Sequence, residues 1–142
     1  MSGITTMHNA TELESLDYKQ CLALMRTQAV GRLVFTDHAL PAVRPVNFTL
    51  RQGEVILRLG RSPWVRRLDR TVVAFEVDEI DQATHAGWSV VVVGKARLLV
   101  DIDELVTNSD PLHRSWAPGP RDHTLAIDME QVTGRRLVAA AS

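Results

Sequence analysis

Short extended segments, separated by turn residues and rarely interrupted by helices, constrain the fold of this chain more than any other feature. Val30 to Thr36 is rich in β-branched and large apolar residues, and Pro41 to Leu50 resumes the extended pattern after a turn at Asp37-His38. A second turn at Gln52-Gly53-Glu54 leads into another such segment, Val55 to Leu59. Together these segments predict an antiparallel meander of three strands.

The second of these segments alternates regularly, so its residues fall into two sets on opposite faces of a strand. One face carries Ala42, Arg44, Val46, Phe48 and Leu50, and the other carries Val43, Pro45, Asn47 and Thr49. Pro45 has no amide hydrogen and therefore cannot donate to a neighbouring strand. Its presence predicts that this strand lies at a sheet edge or contains a bulge.

Extended segments continue through the second half of the chain. They are Val72 to Val77, Trp88 to Val100, His123 to Met129 and a closing segment from Arg135 to Ala140. The first is nearly all apolar, which indicates a strand buried on both faces. The acidic stretch that follows it, Asp78 to Asp81, is predicted to be a solvated turn.

Helical patterns occur at only three places. One helix is predicted over Ser15 to Gln28, with Ser15 or Asp17 as its cap, and another begins at Pro63 with Ser62 as its cap. A third, from Asp101 to about Asn108, begins with a capping-box pattern. Since few strand pairs are linked by a helix, we predict a mainly β fold in which about six strands, antiparallel in sequential order, close into a barrel.

Composition places the chain among single-domain proteins. Its 142 residues are 45% apolar, which suits one core, and we predict a flexible arm over residues 1–14 followed by one domain over residues 15–142. The net charge is −1, so no overall field attracts nucleic acid or an anionic membrane. One cysteine and no leading apolar run favour a cytoplasmic location.

Arginine gives the densest functional signal. Five arginines lie within thirteen residues: Arg58, Arg61, Arg66, Arg67 and Arg70. With the Ser62 hydroxyl at the start of the second helix, Arg58 and Arg61 form a candidate phosphate site, and Arg44 on the neighbouring strand can point to it. The alternative is a solvated helix face with no ligand, and the residues alone leave both open.

An ordered series of short motifs covers most of the chain. These are Gly31-Arg32-Leu33, Arg44-Pro45-Val46-Asn47-Phe48, the segments Val73 to Asp81 and Gly87 to Ala96, Trp116-Ala117-Pro118-Gly119, and Gly134-Arg135-Arg136-Leu137. In order and spacing, from about Asp17 to Val138, the series resembles the pyridoxamine 5'-phosphate oxidase-like family of flavin-binding split barrels. The resemblance is specific for fold and less specific for substrate.

The resemblance implies a six-stranded antiparallel split β-barrel that forms a homodimer with FMN in the groove between its subunits. Pro45, Val46 and Asn47 would then face the isoalloxazine ring, Arg44 and Arg58 would approach the phosphate, and Trp88 would lie near the dimer groove. No residue stands out as an acid, a base or a nucleophile, so we assign no catalytic residue. In such proteins the cofactor carries the redox chemistry.

The sequence departs from the family pattern after the third strand. Family members usually carry a small hydroxyl residue followed by a basic residue there, whereas this chain has Pro63-Trp64. Arg61 and Arg66 flank the gap and can compensate, while Trp64 can stack on a ring or fill the phosphate pocket. Weaker FMN binding, use of FAD or a deazaflavin, and loss of flavin binding all remain open.

Two classes of function follow from these residues. One is a flavin- or deazaflavin-dependent oxidoreductase acting on a small substrate, and the other is a module on the same fold that binds or sequesters a flavin, a haem or another planar ligand. We predict no metal site, since His113, Asp122 and His123 lack ligand spacing. Cys21 on the first helix is interpreted as a packing residue.

Overall fold

The computed structural model of the protein describes residues 11–60, 62–99 and 123–139. Within these ranges, eight strands and two helices form. The strands are β1 (Thr11–Leu16), β2 (Val30–Asp37), β3 (Leu40–Arg51), β4 (Glu54–Leu59), β5 (Val72–Ile80), β6 (Gly87–Leu98), β7 (His123–Asp128) and β8 (Gln131–Ala139). The helices are α1 (Tyr18–Met25) and α2 (Pro63–Arg67).

Six of the strands close into an antiparallel barrel, as predicted. Around the barrel the order is β5, β2, β3, β4, β7 and β6, and β6 closes the ring by pairing with β5. The predicted sequential order is wrong at two places, because β2 pairs with β5 and β4 pairs with β7. A meander can close into a barrel only when both of its outer edges find partners, and here those partners come from later in the chain.

Strand β6 divides its pairing between two neighbours. On one edge it pairs with β5, while on the other edge Gly87–Val93 pairs with β8 and Ala96–Leu98 pairs with β7. Gly94 lies at the fork, where a methyl group on its Cα would overlap the carbonyl oxygen of Asp128. The absence of a side chain at Gly94 therefore lets the end of β7 approach closely.

The core fills the barrel with the inward-facing side chains of all six strands. Members with no exposed surface are Leu33, Val55, Leu57, Phe75, Val77, Val90, Val92, Leu125 and Ile127. Phe48 meets Phe75 edge to face, with ring centroids 5.0 Å apart and planes at 67°. Aromatic pairs of this geometry stabilise a core beyond the area they bury.

Helix α1 packs outside the barrel, against β8. Asp17 caps it, since the Asp17 carboxylate accepts from the Gln20 amide and the Gln20 side chain accepts from the Asp17 amide. Cys21 and Met25 are fully buried, and burial together with nearby Asp17 raises the pKa of the Cys21 thiol. The structure confirms Cys21 as a packing residue. Neither described helix is long and apolar enough to cross a membrane.

Helix α2 covers one end of the barrel. Val65 and Leu68 insert into the core, and the Arg67 guanidinium donates to Asp37 at the end of β2 over 2.9 Å. The residues after the helix are tied to β6, because the Leu98 amide donates to the Asp69 carboxylate over 2.8 Å. The helix is thus held to two barrel strands as well as to the core.

The first and last strands extend the sheet beyond the barrel. β8 continues from the edge of β6, and β1 pairs with β8. β1 includes residues 11–14, which were predicted to belong to an arm, while residues 1–10 lie outside the described residues. Pairing with a strand more than 100 residues later in the chain leaves no local signal in the sequence.

The acidic stretch after Val77 is not a turn as predicted. Asp78–Ile80 continues β5 and pairs with Gly87–Ser89, and the turn follows at Asp81, whose carboxylate accepts from two backbone amides. Those two hydrogen bonds lower the pKa of Asp81. The predicted helix at 101–108 and the proline-rich loop at 110–120 lie outside the described residues.

We expect Gly94→Ala to lower the free energy of unfolding by about 1–3 kcal/mol, because the new methyl group must displace backbone at the fork. Gly60→Ala is the matched control, since no atom lies within 4 Å of a methyl group added there. Urea unfolding curves measure both variants. A Gly94→Ala protein as stable as the control would contradict the close approach described here.

Candidate functional site

Strand β3 separates the predicted site residues onto its two faces. Its burial alternates without a bulge, so Arg44 and Val46 lie on the same side as the core residue Phe48. Pro45 and Asn47 lie on the opposite side and are exposed. The side chains of consecutive residues in this motif therefore do not converge on one point. Only Pro45 and Asn47 present their side chains on the outer wall of the barrel.

One edge of β3 is open over half of its length. β2 pairs with Leu40–Asn47, whereas β4 pairs only with Asn47–Arg51, so no described strand lies beside Leu40–Val46 on the β4 side. The Phe48 amide donates to the Ala29 carbonyl on the β2 side, which fixes the direction of the main-chain groups. Because these directions alternate along a strand, residues 41, 43 and 45 point to the open edge.

Prolines occupy two of these three positions. Pro41 and Pro45 have no amide hydrogen, so the open edge presents three carbonyl oxygens but only the Val43 amide as a donor. The prediction that Pro45 marks a sheet edge is confirmed. Prolines at this edge also prevent another strand from adding to it.

Polar side chains meet on the outer wall where the open edge ends. Asn47 on β3 and Arg58 on β4 are directly opposite each other in the ladder, and both are exposed. Thr124 on β7 is the partner of Arg58 on its other side. An amide and a guanidinium, each able to donate hydrogen bonds, thus lie next to exposed main-chain acceptors.

A second group of predicted residues gathers at the end of the barrel that α2 covers. The Trp64 ring stacks on Phe35 with centroids 4.9 Å apart and planes at 10°, and the Arg44 guanidinium carbon lies 5.7 Å from the Trp64 ring centroid. Ser62 is half-buried at the N-cap position, but its hydroxyl makes no capping hydrogen bond, contrary to prediction. The helix begins at Pro63, as predicted. Arg61 lies outside the described residues.

Two predicted contacts have side chains that are buried in the core. Trp88 is 5% exposed and Val46 is 9% exposed, since both lie on inward faces of their strands. Trp88 forms part of the packed interior, and its place near a dimer groove stays a prediction.

The arginines near α2 differ in what surrounds them. Arg67 is paired with Asp37, and Arg70, whose side chain is 88% exposed, lies 4.0 Å from Asp69. Arg66 is exposed on the same helix. Clustering in the sequence therefore does not bring these three side chains into one site.

A charged cluster on the outer wall escaped the sequence analysis. The Arg32 guanidinium lies 3.1 Å from Glu76 and 3.4 Å from Asp78, and the Ser89 hydroxyl donates to the other Glu76 oxygen over 3.1 Å. Burial and the adjacent Asp78 carboxyl raise the pKa of Glu76. The alternation of acidic residues at 76 and 78 in β5 was the available signal, but it was interpreted as the start of a turn.

Metal ligands do not cluster in the part of the chain that the structure describes, where no group of three His, Cys, Asp or Glu side chains is placed to hold an ion. His113 and Asp122 lie outside that part.

A family model described as pyridoxamine 5'-phosphate oxidase matches residues 17–136, which include the whole barrel. The chain belongs to this family. A relative in Mycobacterium tuberculosis, an uncharacterised protein, is 38% identical over 137 residues, covering 92% of this chain and 90% of the relative. Family membership thus confirms the resemblance carried by the ordered motifs.

Solved structures of other proteins superpose on the fold of this chain. A conserved protein of unknown function from Corynebacterium diphtheriae is 30% identical, with a TM-score of 0.71, covering 89% of this chain and 98% of the other. An FAD binding protein from Mycobacterium smegmatis is 26% identical, with a TM-score of 0.67, covering 88% of this chain and 98% of the other. The split-barrel fold is therefore shared across nearly all of both chains.

We expect the charged cluster to make stability depend on pH. Because the pKa of folded Glu76 is raised, its contribution is complete below the unfolded value and is lost as pH rises through the folded one. The free energy of unfolding of the native protein should therefore fall relative to that of Glu76→Gln as the pH rises above the ordinary glutamate value of 4.5.

Urea unfolding at a series of pH values measures this difference. Glu79→Gln, an exposed position on the same strand, is the control and should follow the native protein throughout. If the free energies of unfolding of the native protein and of Glu76→Gln differ by the same amount at every pH, the pKa of Glu76 is not raised in the folded state.

Proposed function

We propose that this protein binds a flavin nucleotide on the outer wall of the barrel, at the seam between two copies, and acts as an oxidoreductase on a small substrate. The observation that carries the proposal is the exposed Asn47–Arg58 pair next to the open, proline-containing edge of β3. We propose FMN as the cofactor, with FAD or a deazaflavin as alternatives.

The donors and acceptors at this place suit such a ligand. A flavin ring carries both N–H and carbonyl groups, which the main-chain carbonyls, the Val43 amide and the Asn47 amide can match. The phosphate of a flavin nucleotide is anionic, and Arg58 on the outer wall carries an exposed guanidinium suited to it. Arg44, exposed at the end of the barrel, is the second candidate. The FAD binding protein from Mycobacterium smegmatis, at 26% identity, supports a flavin in general and FAD as the main alternative.

A bound flavin supplies hydride or single-electron transfer, so the protein's own residues need only bind, orient and shield it. Asn47 would orient the ring through its amide, and Arg58 would neutralise the phosphate. Pro45 would present a flat apolar surface without an amide to compete for ring acceptors. Cys21 takes no part, because it lies on α1 and its side chain is fully buried.

Dimer formation is supported by an apolar row on the same outer wall. Val43, Val34, Ala74 and Val93 follow one another across four adjacent strands, and all face outward. Val43 is 55% exposed, although a valine in a sheet usually packs against a neighbour. A second copy placed over this row would bury it and would enclose a ligand bound beside Pro45.

The proposed function is tested by the absorption spectrum of the gently purified protein. We expect the two visible bands of an oxidised flavin, release of FMN or FAD on denaturation, and bleaching when a reduced nicotinamide nucleotide is added. Bands that persist when reduced nicotinamide nucleotides are added would favour the sequestering module. A colourless protein that also fails to bind added FMN, FAD or deazaflavin would refute flavin binding.

We expect Arg58→Ala to weaken flavin retention by about tenfold, the effect of losing one charged hydrogen bond. Arg70→Ala is the control, because Arg70 is highly exposed and lies beyond α2, away from the outer wall. Equilibrium dialysis of FMN against each variant measures the difference. Equal retention in the two variants would exclude Arg58 from the phosphate site.

We expect Ala74→Arg to convert the dimer to monomers, because it places a charge in the middle of the apolar row. Sedimentation velocity measures the change. Gln52→Arg, in the exposed turn between β3 and β4, is the control and should remain dimeric. If native protein sediments as a monomer, the seam does not exist.

A further inference from the structure

We propose that Trp64 is a positioning residue that holds the Arg44 guanidinium ready for the phosphate of a flavin nucleotide. The inference rests on the proposed function and deepens it, by naming what replaces the basic residue missing from the turn after β4. Its basis is the juxtaposition of Phe35, Trp64 and Arg44 at the end of the barrel.

The Trp64 ring is a fixed surface. Its helix is anchored by the buried side chains of Val65 and Leu68, and the ring itself lies nearly parallel to Phe35, which is 5% exposed and belongs to the core. A ring held by its helix and by a core aromatic cannot turn without breaking both contacts. Any group that stacks on Trp64 is therefore placed with respect to the barrel.

Arg44 is exposed because β3 extends past the end of β4 at this level. Its inward direction brings the guanidinium toward α2 rather than into the core, and its central carbon lies 5.7 Å from the Trp64 ring centroid. At this distance the guanidinium interacts with the ring through its delocalised charge, which uses none of its N–H groups. Those groups can therefore donate to a phosphate in a bidentate manner.

The contrast with other arginines indicates why an aromatic partner matters. Arg32, Arg67 and Arg97 each pair with a carboxylate, and their positive charge is largely compensated. Within residues 11–60, 62–99 and 123–139, Arg44 pairs with no carboxylate. Trp64 thus orders the guanidinium without neutralising it, which keeps its charge available for an anion.

Riboflavin separates this proposal from a general effect on the site, because it has the flavin ring but no phosphate. We expect Trp64→Leu to weaken FMN binding by about tenfold and to leave riboflavin binding unchanged. Trp64→Phe, which keeps an aromatic face, should restore most of the FMN affinity. Arg44→Met should match Trp64→Leu, and the double variant should lose no more than either alone.

Fluorescence titrations with FMN and riboflavin measure these affinities, with thermal unfolding as a check on folding and Arg70→Ala as the control. Equal losses for FMN and riboflavin in Trp64→Leu would assign Trp64 a packing role only and would overturn the proposal. Tighter FMN binding would overturn it also, since Trp64 would then be filling the phosphate pocket.

Arg44→Met leaves the buried anchors of α2, Val65 and Leu68, in place, so it tests the phosphate contact even if Trp64→Leu fails to fold. Full FMN affinity in Arg44→Met would overturn the proposal while leaving the proposed function intact. If the native protein binds none of FMN, FAD, a deazaflavin and riboflavin, the proposed function itself fails and the positioning role with it.

Discussion

The unequal lengths of the paired strands β3 and β4 determine where main-chain groups are left open to bind a ligand. β3 has twelve residues and β4 has six, so half of β3 extends beyond its partner. Main-chain groups left without a strand would normally recruit one, and Pro41 and Pro45 reduce that tendency by removing donors. The same mismatch exposes Arg44 and creates the opening that α2 covers.

A helix of five residues has little stability of its own, so α2 depends on its tertiary contacts. Val65 and Leu68 bury apolar surface, and the Arg67–Asp37 pair adds at most about 1 kcal/mol because both partners are partly exposed. Trp64 serves two purposes, since it closes the barrel end over Phe35 and still presents its ring to Arg44. The Trp64 side chain therefore contributes both to the packing of the barrel end and to the proposed phosphate site.

Local features of the fold could be predicted, whereas long-range pairing could not. The β2–β3–β4 meander, the Asp17 cap and the edge role of Pro45 each follow from neighbouring residues. The β1–β8 pair and the β4–β7 closure join distant segments, and no periodicity records them. For the site, alternation along β3 assigned Arg44 and Asn47 to opposite faces, and only the family resemblance grouped them into one pocket. The burial of Trp88 could not be predicted from its neighbours, because it depends on how the core packs.

Charge compensation distinguishes the Arg32 cluster on the outer wall from Arg44 at the end of the barrel. On the outer wall Arg32 already has two carboxylates near it, so that cluster has no surplus positive charge to offer an anion. Arg44 has an aromatic ring in the corresponding role. An ion pair orients an arginine and also satisfies it, while a stacked ring only orients it. An anionic group is therefore better accommodated beside Arg44 than beside Arg32.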